Sequence, residues 1–327
     1  MRTPPAAAIG AAMVLLAPSG CIKQMLVDSQ IGATREASSA VDTIGDYETA
    51  RMGVAAGLTQ FEGLHALSPD NDDALYLLAK GWGGYAYGFL EDEIEVAHDA
   101  GDDDTAEYNR RRARLAFDRA VFYGLQLMRH RADGFEQARK TAPALTHWLE
   151  AEFTSADDAP GLLWTGYAWL ARADLMKGDD EEGPAFVAEL FVGAALLERA
   201  VALDPGGEHA AGLTTLGSYH ARSNMAELDQ SKRDFDDAAA RTGGRDLLVQ
   251  FNMATKYACV KGDTMLYVQT LEHVLQAEDP DPSQRLQNAI AKRRARRWLT
   301  KRRAKDECGI DLPGAPSTPA DREPKGS

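Results

Sequence analysis

Three cysteines in 327 residues, Cys21, Cys259 and Cys308, are too few for a disulfide framework. Runs of β-branched residues are missing, while alanine, leucine, arginine and glutamate dominate, so the class expected is all-α. Beyond the amino terminus no stretch reaches about 18 apolar residues, which excludes a later spanning helix. Positive charge is in deficit. A formal net charge of −14 does not suit a general basic surface for nucleic acid, and no nucleic-acid partner is expected. The histidines are scattered, with no His-Glu-x-x-His pair, so no zinc site is expected. Walker loops and Gly-x-Ser-x-Gly elbows are absent. Gly81-x-Gly83-x-x-Ala86 formally fits a relaxed dinucleotide fingerprint, but that motif must follow a strand and open a helix. Here it lies inside a helical pattern. No catalytic residue and no cofactor are assigned.

What is present is a stretch rich in glycine and aromatics, Lys80 to Glu93, inside a proline-free helical run from Asp72 to Ala97. At about 100° per residue, Trp82, Tyr85 and Phe89 share one face, with Gly81, Gly84 and Gly88 beside them. Glu91, Asp92 and Glu93 close the stretch. A glycine inside a helix costs about 1 kcal/mol against alanine, so several of them need a reason. Either another element packs close against the glycines, or the missing side chains leave room for a ligand. The second reading makes Trp82, Tyr85, Tyr87 and Phe89 the wall and Glu91 and Asp92 the polar groups. Trp164, Tyr167, Trp169 and Tyr219 are added from later helices.

The amino terminus carries Arg2, a short apolar run from Ala6 to Ala17, and then Ser19-Gly20-Cys21. This resembles a bacterial lipoprotein signal, with Cys21 lipidated as the mature first residue; a plain secretory signal is the alternative. Pro18 departs from the usual pattern. Loss of residues 1–20 removes Arg2 alone and leaves a charge of −15. Ile22 after the cysteine favours the outer membrane. The expected division is a signal peptide at 1–20, an anchor or linker at 21–45, a helical domain at 46–309 and a disordered tail at 310–327.

Helices are expected at Tyr47–Leu67, Glu107–His130, Gly161–Met176, Ala185–Leu203, Gly207–Arg222, Leu228–Arg241, Arg245–Val260 and Thr264–Ala277, with short ones at Gly134–Thr141 and Pro143–Phe153. A last, basic helix spans Ser283–Lys305. Pro69 and Pro205 sit in matching Leu-x-Pro turns, 136 residues apart, four times 34. A 34-residue helix–turn–helix period is that of tetratricopeptide repeats, so about four tetratricopeptide-like hairpins stacked in a solenoid are expected. Cys259, on an apolar helical face, reads as a buried thiol, with a disulfide to Cys308 as the alternative. The basic run Lys292 to Lys305 reads as a capping helix paired with the acidic body; anionic lipid or an acidic partner is the other option.

Several of these segments together resemble the T-component family of tripartite ATP-independent periplasmic (TRAP) transporters. They are Leu67-Ser68-Pro69-Asp70-Asn71, Leu77 to Gly81, Tyr85 to Glu93, Trp164 to Trp169, Leu216 to His220 and Ala291 to Ala295. The resemblance runs from about Tyr47 to Arg303. It implies a periplasmic helical lipoprotein that associates with a solute-binding protein and self-assembles, with a trimer as one form. It further implies a role in passing a small ligand, which could be hydrophobic, towards the transporter. Two rivals remain: an envelope-assembly scaffold without ligand, and a cell-wall enzyme, for which Asp157 and Asp158 look like a helix cap rather than a catalytic pair.

Overall fold

The computed structural model describes residues 19–222 and 225–317. The apolar signal run and the end of the tail lie outside these residues, as do the side chains of Ser19, Gly20 and Cys21. The described chain is all-α, with no strand. It begins with α1 (Ser19–Ala37) and a 3₁₀ segment (Ser38–Thr43). Asp46 then caps α2 (Tyr47–Leu67) by accepting the Thr49 N–H at 2.7 Å. The Pro69 turn follows, and Asn71 caps α3 (Asp72–Tyr85), where Asp72 and Asp73 complement the helix dipole. A π-helical turn, Ala86–Leu90, joins α3 to α4 (Glu91–Ala100), and Gly101 at φ 73° ends the run. The expected helix Asp72–Ala97 is therefore one rod with a π turn inside it.

Next come α5 (Asp103–Arg131), α6 (Phe135–Ala138), α7 (Ala142–Glu152) and α8 (Ala159–Met176). The helix expected over Ala185–Leu203 is two, α9 (Gly183–Ala188) and α10 (Leu190–Leu203). They are followed by α11 (Gly207–His220), α12 (Leu228–Arg241) and α13 (Leu247–Asn252). A second π turn, Met253–Ala258, leads to α14 (Cys259–Lys261) and α15 (Thr264–Gln276). The expected single basic helix is broken. A 3₁₀ turn at Pro282–Gln284 precedes α16 (Arg285–Trp298), and Thr300 caps a separate α17 (Lys301–Cys308).

Chain neighbours pack as hairpins: α2 on α3, α3 and α4 on α5, α8 on α10, α11 on α12. One core gathers Phe117, Leu162, Leu196 and Leu197; a second gathers Phe251, Tyr267, Leu271 and Trp298. In an open solenoid each unit touches only its neighbours. Here α16 returns to α2 and the first 3₁₀ segment, and its arginines reach α4. Late and early helices of the described residues therefore touch, a contact beyond those of an open row of hairpins. Cys259 is not a free thiol: it is joined to Cys308 by a disulfide, which staples α14 to α17. Among the described residues no helix is long and apolar enough to cross a membrane.

Candidate functional site

The rod α3–π–α4 has two faces. Trp82, Tyr85 and Phe89 do share one, as the spacing requires. That face turns to α2 and α5. Trp82 donates to Glu62 at 2.8 Å with Arg119 over its ring, the Tyr85 hydroxyl meets Arg112, and Phe89 packs on Tyr47. Gly81 and Gly88 serve close packing there, since a Cβ would lie 2.8 Å from Leu58 and 3.0 Å from Ile290. The wall expected from Trp82 and Phe89 is thus committed to neighbouring helices.

The other face carries Tyr76, Lys80, Gly84, Tyr87 and Glu91, spaced by threes and fours. Lys80, Gly84, Tyr87 and Glu91 are each half-buried. A Cβ on Gly84 would meet nothing within 4 Å, so this glycine leaves space rather than admitting a neighbour. Opposite stands α8. Tyr167 lies against Gly83, Tyr87 and Phe117, and Trp164 lies edge-on to Tyr167 with Lys80 above its ring. The Trp164 Nε1–H and Tyr167 hydroxyl are buried and make no hydrogen bond to protein. Buried polar groups are almost always paired, and leaving one unmet costs about 1–3 kcal/mol. Both sit on one helix, one turn apart; unbonded buried atoms also occur on His65, Asp99, Arg172, Gln287 and Arg294.

The far end of this face is charged. Tyr87 meets Asn252, which bonds its hydroxyl at 3.2 Å, so the first π turn touches the residue just before the second. Such turns are frequent at functional sites. Glu91 keeps 22% of its side chain accessible and lies 3.7 Å from Arg294. Surrounding protein nevertheless pushes its pKa up to about 7, against the pull of Arg294 and Lys256. A carboxyl enclosed by protein yet touched by solvent belongs to the wall of a recess. Asp174 and Lys256, 3.5 Å apart and more exposed, stand at its rim.

The near end opens into a cleft of about 690 Å³ shared by the 3₁₀ segment, α11 and the α12–α13 turn. Here the chain is strained. Glu208, His209 and Ala210 all have φ between 49° and 58°. Left-handed backbone costs a non-glycine residue about 1–2 kcal/mol. Gly207, just before them, lies against the Asp204 carboxylate: a Cβ on it would lie 2.7 Å from Oδ2, which would have to move. The turn delivers the Glu208 carboxylate into the interior, where it accepts from the Tyr76 hydroxyl and from Lys80 at 2.7 Å. A wider depression of about 920 Å³ lies between α10, α11 and α12 and shares no lining residue with this cleft.

Of the residues that the sequence singles out, Tyr87, Glu91, Trp164 and Tyr167 come together on the open face. Asp92 does not: it is buried and taken up by Arg293 and Arg297. Trp169 points away, into a group with Phe135 and beneath Arg139 and Arg172. Tyr219 stacks under Arg222 towards the end of α11. Tyr76, Lys80, Glu208, Asn252 and Lys256 border the same face and are residues that the sequence pattern does not single out. Counting back from Tyr87 and Glu91 by helical turns reaches Lys80 and Tyr76; nothing local points to Glu208. Among the described residues no cluster of three or more His, Cys, Asp or Glu could hold a metal ion.

Fold and site together define an all-helical hairpin protein built around a rod with one open, polar and aromatic face. Its sequence is one that a known transport family describes. The model of the TRAP transporter T-component family matches residues 44–305, most of the chain, and the protein belongs to that family. The family is a transport accessory family, not an enzyme family. No curated protein matches the chain.

Proposed function

We propose that the protein is the lipid-anchored T-component of a TRAP system, working in the periplasm beside a solute-binding protein and holding a small ligand on the open face of the α3–π–α4 rod. The anchor would be Cys21, on the outer membrane, and the working form could be a homo-oligomer such as a trimer. The observation that carries the ligand reading is the combination of Gly84, which opens space on the rod, with the unpaired buried donors of Trp164 and Tyr167 on the helix packed against it. Pockets for small molecules combine apolar walls with a few placed polar groups, and this face has both.

The test is a capture of the full chain from periplasm with mass spectrometry of proteins and small molecules, alongside Gly84→Leu. Recovery of a solute-binding protein and a small molecule is expected from wild type, with the small molecule lost from the folded variant. Recovery of neither, from protein shown to be membrane-bound and folded, overturns the reading. Cys21→Ser should release the protein from the membrane fraction, and a wild type found soluble and unlipidated would remove the anchor from the proposal.

A further inference from the structure

Helix α5 is apolar on two faces. Its inner face, with Ala113, Phe117, Ala120 and Val121 buried, packs against α3, α4 and α8. Its outer face carries Tyr108, Leu115 and Phe122, which are 56%, 65% and 51% exposed. A helix at the surface ordinarily turns charged and polar residues to the solvent. Here one large apolar residue returns every seventh position, so the three stand in one line about 21 Å long. A seven-residue apolar repeat on an unpartnered face is the pattern of a helix–helix seam.

We propose that this line is a contact between two copies of the chain, with their α5 helices antiparallel and a two-fold axis at Leu115. It gives the homo-oligomer of the preceding reading a face and a symmetry, and it rests on no ligand and no anchor.

Three features select a second copy as the occupant. The line is symmetric about its own middle. A two-fold axis at Leu115 sets Leu115 on the partner's Leu115 and Tyr108 on the partner's Phe122, so every apolar residue meets an apolar one. The charges obey the same axis. Helix α5 opens with Asp103 and Asp104, which are exposed and have no basic partner among the described residues. It closes near Arg129, which is half exposed and only 3.7 Å from Glu136. Antiparallel pairing brings the acidic start of each helix within a turn of Arg129 on the other, whereas parallel pairing sets acid on acid. Nearer the axis, Arg111, itself well exposed, reaches the partner's Asp118. Arg119, which would otherwise oppose Arg111, is already held by Glu62 at 2.7 Å. Finally, tyrosine, phenylalanine and arginine are the residue types enriched at protein interfaces. Such a contact closes at two copies, so a larger assembly needs a second face.

The experiment uses the full chain carrying Cys21→Ser, in which the Cys259–Cys308 bridge leaves no free thiol. Single cysteines are placed on α5 and oxidised. Leu115→Cys is expected to cross-link two copies well above the rate of Met265→Cys, which is 69% exposed on α15 and reports random collision. Tyr108→Cys and Phe122→Cys should each stay near that background alone and cross-link when mixed. Sedimentation should find a dimer, and Leu115→Glu, which sets two like charges on the axis, should weaken it at least about tenfold. Should Leu115→Glu lose helix content, Leu115→Ser is read in its place. Leu115→Cys no faster than Met265→Cys, or Tyr108→Cys as fast alone as in the mixture, overturns the antiparallel pair. A trimer indifferent to Leu115→Glu also overturns this face but leaves self-association standing, whereas a monomer throughout overturns both. The proteins and small molecules recovered from periplasm judge the rest of the broader reading separately.

Discussion

One rod, residues 72–100, carries two clusters of charge that are handled in opposite ways. On α4, Asp92, Glu95 and Asp99 point outward under α16 and α17. Asp92 accepts from the Tyr47 hydroxyl and from Arg293 and Arg297; Glu95 takes Arg294, Arg297 and the Trp298 indole; Asp99 takes Arg303. On the inner face, Lys80 and Glu208 pair across the mouth, but Trp164, Tyr167 and one guanidinium nitrogen of Arg294 remain without partners. Arg294 stands at the seam, bonded to Glu95 and only near Glu91. Charges that largely pair with one another make a lock, although Asp99 Oδ2 is left unbonded within it. Charges and donors left unmet make a place for something else. The contrast separates two uses of the same residue types more sharply than burial does, because both clusters are mostly buried.

The largest expected effect comes from breaking the lock. Arg297→Met leaves Asp92 and Glu95 buried without their shared partner, at about 3–5 kcal/mol of stability. Thermal unfolding should show a drop on the order of 10 °C in a chain of this length. A change under about 1 kcal/mol would mean that the cluster is solvated and not a lock. The disulfide staples the same side of the molecule. Cys259→Ser with Cys308→Ser should cost about 2–4 kcal/mol, given the 49-residue separation, and a non-reducing digest should find the bridge in wild type. Free thiols in native protein would contradict it.

The glycines carry the comparison from stability to binding. Gly88→Leu drives a side chain into Ile290, on the locked side, and should cost about 1–3 kcal/mol. Gly84→Leu enters open space and gains helix propensity, so it should hold or raise the melting temperature by up to about 1 kcal/mol in equivalent stability. It should nevertheless remove the small ligand. Equal destabilisation by both would show that the two faces are the same kind of core.

From the sequence, the class and the proline turns were legible, because caps and apolar periodicity are local. The choice of face was not. Trp82 and Phe89 outweigh Lys80 and Gly84 in any reading by size and hydrophobicity, yet neighbours from α2 and α5 claim them. The π turn at Ala86–Leu90 also rotates the rod beyond it, which a constant 100° step does not follow. Glu208 lies 128 residues from Lys80, on a turn whose handedness sits on non-glycine residues just after the glycine pair. Asp92 resembles its neighbour Glu91 in sequence, and only the return of α16 assigns them to different faces. The capping role expected for the basic run came from charge balance alone, whereas the break at Leu299–Thr300 had no local breaker residue to announce it.

The smallest effect, that at Glu91, comes from a test of both clusters at once, through pH. Burial pushes Glu91 up to about 7 from the usual 4.5, with Arg294 and Lys256 offsetting part of the rise. A carboxyl whose folded pKa is raised contributes stability that is fully present below 4.5 and is lost as pH climbs through 7. Glu95 is opposite: burial would raise it, but Arg294 and Arg297 win and lower it to about 2. Its contribution is present above 4.5 and is lost as pH falls towards 2. Glu91→Gln should therefore match wild type near pH 5 and exceed it by pH 8, by on the order of 1 kcal/mol once the solvent contact of Glu91 is discounted. Glu95→Gln should be much less stable than wild type at pH 8, and the gap should narrow in acid. As pH falls, the Glu91→Gln curve should approach wild type from above between about 7 and 4.5, and the Glu95→Gln curve from below between about 4.5 and 2. Parallel curves would place Glu91 inside the lock, with Arg294 as its full partner, and the open face would end at Tyr87.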